Sequence, residues 1–115
     1  MEITEIFKGL ADSTRVRMVN LLIKGGRLCT CDIEYLLGIS QVNASRHLAK
    51  LKQSKIVKAE KRAQWVYYSI NSDIAEKYPF IITAFEKESE EEIIKNDIQK
   101  LEEHIKNKMS CKGEK

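Results

Sequence analysis

One proline and five glycines in 115 residues leave no room for a collagen-like repeat or a Pro/Gly-rich linker. Aromatic residues make up only 7% of the chain, but 43% is hydrophobic and 32% charged, the balance of a globular domain rather than a disordered one. The length suits a single core. No run approaches the roughly 20 apolar residues that a membrane helix requires, and the first residues contain no signal-peptide-like apolar stretch. Three cysteines cannot all pair within one chain, which weighs against a secreted disulfide scaffold. A cytoplasmic protein with no membrane partner is expected. A glycine-rich phosphate loop is also missing, as is any spaced set of nucleophile, base and orienting group, so an enzyme is not expected. A thiol oxidoreductase using Cys29 and Cys31 would want a thioredoxin-like βαβ scaffold, and the pattern offers none.

What is present is uneven charge. Residues 1–71 hold 12 Lys/Arg and 6 Asp/Glu, whereas residues 72–115 hold 8 Lys/Arg and 11 Asp/Glu. The stated net charge of +3 is therefore a basic first part joined to an acidic second part. Between Arg46 and Arg62 seven positive charges face only Glu60. Such a run is either a solvated face or an electrostatic footprint for phosphate, and charge alone does not choose.

Periodicity places the elements. Ile3, Ile6, Phe7 and Leu10 share one helical stripe, and Asp12-Ser13 offers an N-cap for a second helix that stops at Gly25-Gly26. Thr30 can cap a short helix with Ile33, Leu36 and Leu37 inward. After Gly38-Ile39-Ser40, Ser40 can cap another helix, over about Gln41 to Ser54. Two helices across a three-residue glycine-containing turn make a helix-turn-helix. The period then changes to two over residues 57–62 and 65–70, a hairpin or wing, although Ala63-Gln64 is not the turn chemistry tight hairpins prefer. From Ser72 the pattern is helical again. Pro79 suits the first turn of a helix running to about Met109, some 46 Å long at about 1.5 Å per residue. That would overhang a domain of this size. Ile94, Ile98, Leu101, Ile105 and Met109 near its end have almost coiled-coil spacing, for packing on the chain's own first helix or for a homodimer. The expected fold is mostly α with a β-hairpin wing: residues 1–71 a winged helix-turn-helix, residues 72–115 a dimerisation helix and tail, in one structural domain. The homodimer would form through the N- and C-terminal helices, by Ile3, Phe7, Ile94, Ile98, Leu101 and Ile105.

On a helical wheel, Ala44, Leu48 and Leu51 define the buried direction of the second helix of the motif. Val42, Asn43, Arg46, Lys50 and Gln53 project roughly opposite, with Ser45 and His47 on the flanks. A helix fits the major groove, where Asn can bond adenine and Arg guanine in bidentate fashion. Ser40, Gln41 and the free N–H groups of the first turn suit phosphate. Lys61, Arg62 and Gln64 at the wing tip can reach neighbouring backbone or the minor groove. His47 is read as a DNA or phosphate contact ahead of a plain surface residue or a metal ligand. The competing reading is a winged helix kept for protein contact alone.

Four segments carry a resemblance. Residues 7–15, FKGLADSTR, are similar to the F-K-A-L-A-D-P-T-R opening of ArsR/SmtB-type repressors. Leu28-Cys29-Thr30-Cys31-Asp32-Ile33 resembles the L-C-V-C-D-L metal motif of their arsenic-responsive branch. Residues 40–48, SQVNASRHL, resemble the S-Q-x-x-x-S-x-H-L recognition helix, and Trp65-Val66-Tyr67-Tyr68 the second wing strand. The resemblance spans about residues 3 to 71. It implies a winged-helix homodimer that represses double-stranded operator DNA until an inducer ion binds.

The thiolate is the form of cysteine that holds a soft ion. Cys31 falls in a helix's first turn, where free N–H groups favour an anion, and Arg27 lies nearby. Two residues apart on a regular helix, Cys29 and Cys31 would point about 200° from each other. In an extended or bent segment they can converge, so chelation would demand a distortion at the helix start, and that distortion could shift the reading helix. Arsenite is three-coordinate and thiophilic, so two thiolates begin its ligand set, and antimonite is alike. The third ligand stays open. Where some arsenic-responsive members have a further cysteine stands Glu34, leaving Cys111 of the tail, or water or hydroxide. Cys111 can equally be a tail thiol with no such role. Another thiophilic metal ion, thiol oxidation, or a pair that merely packs are the alternatives. The cysteines that the family's cadmium and lead sensors carry in an N-terminal extension have no counterpart in Met1 to Phe7. The zinc-sensor pattern is broken too, since Gln99 follows Asp97 and Asn107 follows His104.

Overall fold

The computed structural model describes residues 1–107, so Met109 and Cys111 lie outside the described residues. Along the chain stand α1 (Glu2–Leu10), α2 (Ser13–Gly25), β1 (Leu28–Cys29), α3 (Thr30–Leu37), α4 (Gln41–Gln53), β2 (Val57–Arg62), β3 (Trp65–Ile70), α5 (Ser72–Lys77), α6 (Phe80–Thr83) and α7 (Glu92–Asn107).

The helix boundaries follow from their caps. The Arg15 N–H donates to Asp12 Oδ1 at 3.1 Å to open α2, and the Asn43 N–H donates to Ser40 Oγ at 3.2 Å to open α4. Gly38 closes α3 in the left-handed region at φ 64°, where a side chain would be strained. The motif is therefore a helix-turn-helix with the expected three-residue turn, α3 packing directly on α4. Ala44, Leu48 and Leu51 lie in the core with Met18, Leu22 and Ile33, as the wheel requires. At α1, a Cβ on Gly9 would come within 2.5 Å of Ser54 Oγ, so glycine lets α1 approach the end of α4.

The wing is an antiparallel hairpin in which Val57 faces Ile70 and Arg62 faces Trp65, closed by the two-residue loop Ala63-Gln64. Ala63 takes φ 57°, a conformation that costs a non-glycine residue about 1–2 kcal/mol. Sequence reading missed a third strand. β1 pairs with β3, Cys29 opposite Tyr67, giving the order β1-β3-β2. Two residues are too few to display an alternating pattern.

The long C-terminal helix is corrected. Helix α6 has only four residues, residues 84 to 91 form turns and irregular chain rather than a continued helix, and α7 begins afresh at Glu92. Glu86, Glu88, Glu90, Glu91 and Glu92 crowd this stretch, and like charges four apart disfavour helix. Ser89 Oγ accepts the Glu91 N–H at 3.0 Å, a local alternative to the helical bond. Lys24 Nζ donates to Phe85 O at 2.8 Å and ties the turn to α2. With sixteen residues, α7 is about 24 Å long and does not overhang a body of 39 × 34 × 24 Å.

The break lets α7 fold back over α2 and α3. Its inward stripe is Asp97, Leu101 and His104. Leu101, expected at a dimer contact, is instead 2% exposed in the chain's own core, its methyls beside Gly25. Asp97 accepts two hydrogen bonds from Arg17, at 2.8 and 2.9 Å. Ile94 and Ile98 are half-buried and line a cleft against Val16 and Asn20. Phe7, Ile93 and Ile105 are about half exposed and Ile3 somewhat less, with Phe7 stacked on Phe80 at 5.2 Å between ring centroids.

Candidate nucleic-acid interface and thiol site

Helix α4 turns its apolar stripe inward and thereby sets its polar face outward. Ser40, Gln41, Val42, Asn43, Ser45, Arg46, Lys50 and Gln53 are all exposed, and Val42, 74% exposed, protrudes from the first turn. Arg46 Nη2 donates to Asn43 Oδ1 at 3.0 Å, so the two side chains best suited to base edges form a pair on that face. Lys61, Arg62 and Gln64 are exposed on the wing. Glu60 offsets part of the wing charge through Arg62 at 3.2 Å and Arg27 at 3.7 Å.

His47 does not join this face. It is buried, with Nδ1 3.2 Å from Arg15 Nη1 and 3.9 Å from Asp12 Oδ1. The physical reason is Arg15, whose Nε donates to Gly9 O at 2.7 Å and whose Nη2 reaches Lys8 O at 3.3 Å. One guanidinium thus gathers the end of α1, the start of α2 and the flank of α4, and His47 closes the cluster. Partial burial of Asp12 is the largest single influence and opposes its charge. The Arg15 N–H, the nearby His47 and Arg15 side chains and the Thr14 N–H together outweigh it and hold the carboxyl below the usual range.

The second site lies at the start of α3. Thr30 was expected as the cap, but the N-cap is Cys29, with extended backbone at φ −84° and ψ 166°. Cys29 therefore stands on the strand side of the junction and Cys31 in the first helical turn. Their Sγ atoms are 3.2 Å apart. The expected divergence of about 200° applies only if both residues are helical. No unwinding of α3 is needed to bring the sulfurs together, which overturns the expected distortion.

Asp32 organises this junction. Its Oδ2 accepts the Cys29 N–H at 3.1 Å and lies 3.2 Å from Cys29 Sγ, in line to accept from the thiol. Its Oδ1 meets His104 Nε2 of α7 at 2.8 Å. Cys29 is buried beside Tyr67, with Cys31 and Trp65 half-buried against them. Arg27, expected to favour the thiolates, is engaged elsewhere, its guanidinium 4.8 Å from the Tyr67 ring centroid and paired with Glu60. Among the described residues no cluster of three or more His, Cys, Asp or Glu side chains is arranged to hold a metal ion. The arrangement offers two sulfurs, a start for a three-coordinate thiophilic ion. Cys111 lies outside the described residues. Asp32, His104 and Asp97 were missed as functional or structural partners, and the 4-3 spacing of Asp97, Leu101 and His104 was the signal that α7 turns these polar groups inward.

The family model described as "Bacterial regulatory protein, arsR family" matches residues 12–59, which hold α2, β1, α3, α4 and the first residues of β2. The transcriptional repressor PagR of Bacillus anthracis has a solved structure that is 30% identical, with a TM-score of 0.62 over 72% of this chain and 91% of that one. The chain belongs to the ArsR family. The arsenic resistance transcriptional regulator ArsR1 of Pseudomonas putida is 42% identical over 69 residues, 60% of this chain and 54% of that protein. The cadmium resistance regulatory protein CadC homolog of Staphylococcus aureus is 38% identical over 73 residues, 64% of this chain and 60% of that protein. The chain thus spans little more than half the length of these two ArsR-type relatives. Family and fold are those of transcriptional regulators, not of enzymes. No helix among the described residues is long and apolar enough to cross a membrane.

Proposed function

We propose that this protein is a dimeric transcriptional repressor that grips an operator duplex with α4 and the wing and releases it when arsenite or antimonite binds Cys29 and Cys31. The observation that carries this reading is the 3.2 Å approach of two sulfurs at the start of α3, the helix on which the reading helix rests. Binding is a condensation without redox change. Two S–H and two As–O bonds of arsenous acid break, two As–S bonds form, and two waters leave. A third ligand comes from hydroxide or from Cys111.

On the DNA side, Ser40 and Gln41 would meet phosphate, Val42, Asn43, Ser45, Arg46 and Lys50 the major groove, and Lys61, Arg62 and Gln64 the flanking backbone. Ile3, Phe7, Ile93 and Ile105 present the apolar surface for a second copy, with Ile94 and Ile98 at its edge. The ion favours a conformer that fits the operator less well, and such coupling is typically about 1–3 kcal/mol, a factor of about 5–150 in affinity. Another thiophilic ion is the second reading, favoured by the likeness to the CadC homolog.

Binding to a duplex should fall steeply with salt, and no binding at low salt would sink the repressor reading. X-ray absorption of the arsenite-loaded protein counts sulfur ligands: three falling to two on Cys111→Ser assigns the tail, two throughout assigns hydroxide, and none rejects the site.

A further inference from the structure

The contact between His104 and Asp32 joins residues 72 positions apart and is almost completely enclosed, both side chains being 6% exposed. An ionised carboxylate only accepts hydrogen bonds, so His104 Nε2 is the donor. The Asp32 carboxylate is thereby divided: Oδ1 belongs to α7, while Oδ2 takes the backbone N–H and faces the sulfur of Cys29. The Tyr35 ring, 5.0 Å from the imidazole between centroids, and the Asp32 bond fix the ring's place. His104 Nδ1 is buried and makes no hydrogen bond, so the side chain's whole polar engagement is with Asp32. The imidazole thus keeps one buried nitrogen without a hydrogen bond in order to hold Asp32 Oδ1 with the other, which points to a task beyond packing.

We infer that His104 is a positioning residue for the thiol pair: acting through Asp32, it sets the place of Cys29 and carries the state of the thiols to α7. This rests on the repressor reading for its effector but not for its geometry. In the reduced protein the Cys29 thiol donates to Asp32 Oδ2. When arsenite takes the sulfur, that S–H becomes S–As, and its proton leaves in water. Asp32 Oδ2 then loses a donor and faces sulfur lone pairs at a distance set for a hydrogen bond. The carboxylate must turn, and because its other oxygen is tied to His104, it cannot turn without disturbing α7. The same helix carries Ile105, on the apolar surface proposed for a second copy, one residue beyond His104. The signal thus has a physical route from sulfur to the dimer side of α7 that needs no unwinding of α3.

The test compares wild type, His104→Ala, His104→Gln and Lys100→Ala. Lysine 100 is the control, since Lys100 Nζ ties α7 to α3 by donating to Tyr35 O at 2.9 Å, away from the thiols. The readouts are the iodoacetamide alkylation rate of Cys29, resolved by mass spectrometry, and the arsenite-induced drop in duplex affinity. His104→Ala should raise the alkylation rate several-fold and shrink the arsenite-induced drop at least fivefold while operator binding without arsenite stays intact. His104→Gln, which keeps an N–H donor, should restore both. Lys100→Ala should leave both near wild type. Unchanged alkylation in His104→Ala overturns the inference, and so does an equal rise in Lys100→Ala, which would mean general loosening of α7. An unchanged drop in His104→Ala overturns it as well. If wild type itself shows no response to arsenite, the repressor reading fails and the alkylation rates alone decide this inference.

Discussion

On the outer face of α4, Arg46 leans on Asn43 and Gln41, Val42, Ser45 and Lys50 end in solvent. On the inner face of α7, Asp97 and His104 are buried and each is committed to one partner, Arg17 on α2 and Asp32 on α3. Both surfaces are polar, yet one keeps its hydrogen-bonding groups available and the other has spent them inside the molecule. A surface that must meet a polyanion gains from exposed, uncommitted charge. A surface that must report a chemical event at a buried sulfur needs fixed geometry. Substitutions should therefore separate cleanly: α4 variants should change binding and leave folding alone, and α7 variants should do the reverse or alter response.

The largest effect is expected from Asp97→Ala, which strands the Arg17 guanidinium. Removing one partner of a buried pair typically costs about 3–5 kcal/mol, and the partial exposure of Arg17 places this case at about 3. Urea unfolding should show that loss; a change under 1 kcal/mol would mean that α7 is held by its apolar contacts alone. Next comes Arg46→Ala, which should weaken duplex binding by about 1–3 kcal/mol, roughly 5- to 150-fold, with unfolding shifted by less than about 0.5 kcal/mol. Unchanged binding would mean that α4 presents another face to DNA. Ala63→Gly at the wing tip should stabilise the protein by up to about 1 kcal/mol, because glycine accepts the positive φ; a lower melting temperature would contradict that turn geometry.

The smallest effect is in pH. Hydrogen bonds from Lys77 and then Tyr78 hold the Glu2 carboxyl below its usual range, while the same bond raises Lys77. A lowered acid contributes stability above its unfolded value and loses it as pH falls through the folded one. A raised amine contributes below its unfolded value and loses it as pH rises through the folded one. This exposed tie between α1 and α5 should thus hold across neutral pH and weaken at both extremes. Glu2→Gln should flatten the acid limb slightly, and an identical limb in the variant would show that the tie adds nothing.

Much of this was legible in the sequence because it is local. The stripe of Ala44, Leu48 and Leu51, the Ser40 cap and the alternation of residues 57–62 and 65–70 all declare themselves within a turn or a strand. His47 was misplaced because the wheel puts it at the border of the buried arc, and only Arg15, thirty-two residues away, decides which side it takes. The sulfurs were set apart by treating both cysteines as helical: Cys29 is the extended residue that leads into α3 and only Cys31 lies in its first turn, so the two side chains converge. The break before α7 depends on ties such as Lys24 to Phe85 O, and the Asp32–His104 contact spans 72 residues. Periodicity carries no record of either.

The most direct test of the central claim is arsenite titration of the duplex-bound protein, comparing wild type with Cys29→Ser and Cys31→Ser by fluorescence anisotropy. Wild type should release the duplex on arsenite, and both variants should bind it with unchanged affinity and keep it. Release from both variants at the wild-type arsenite concentration would contradict the assignment of these thiols as the sensor.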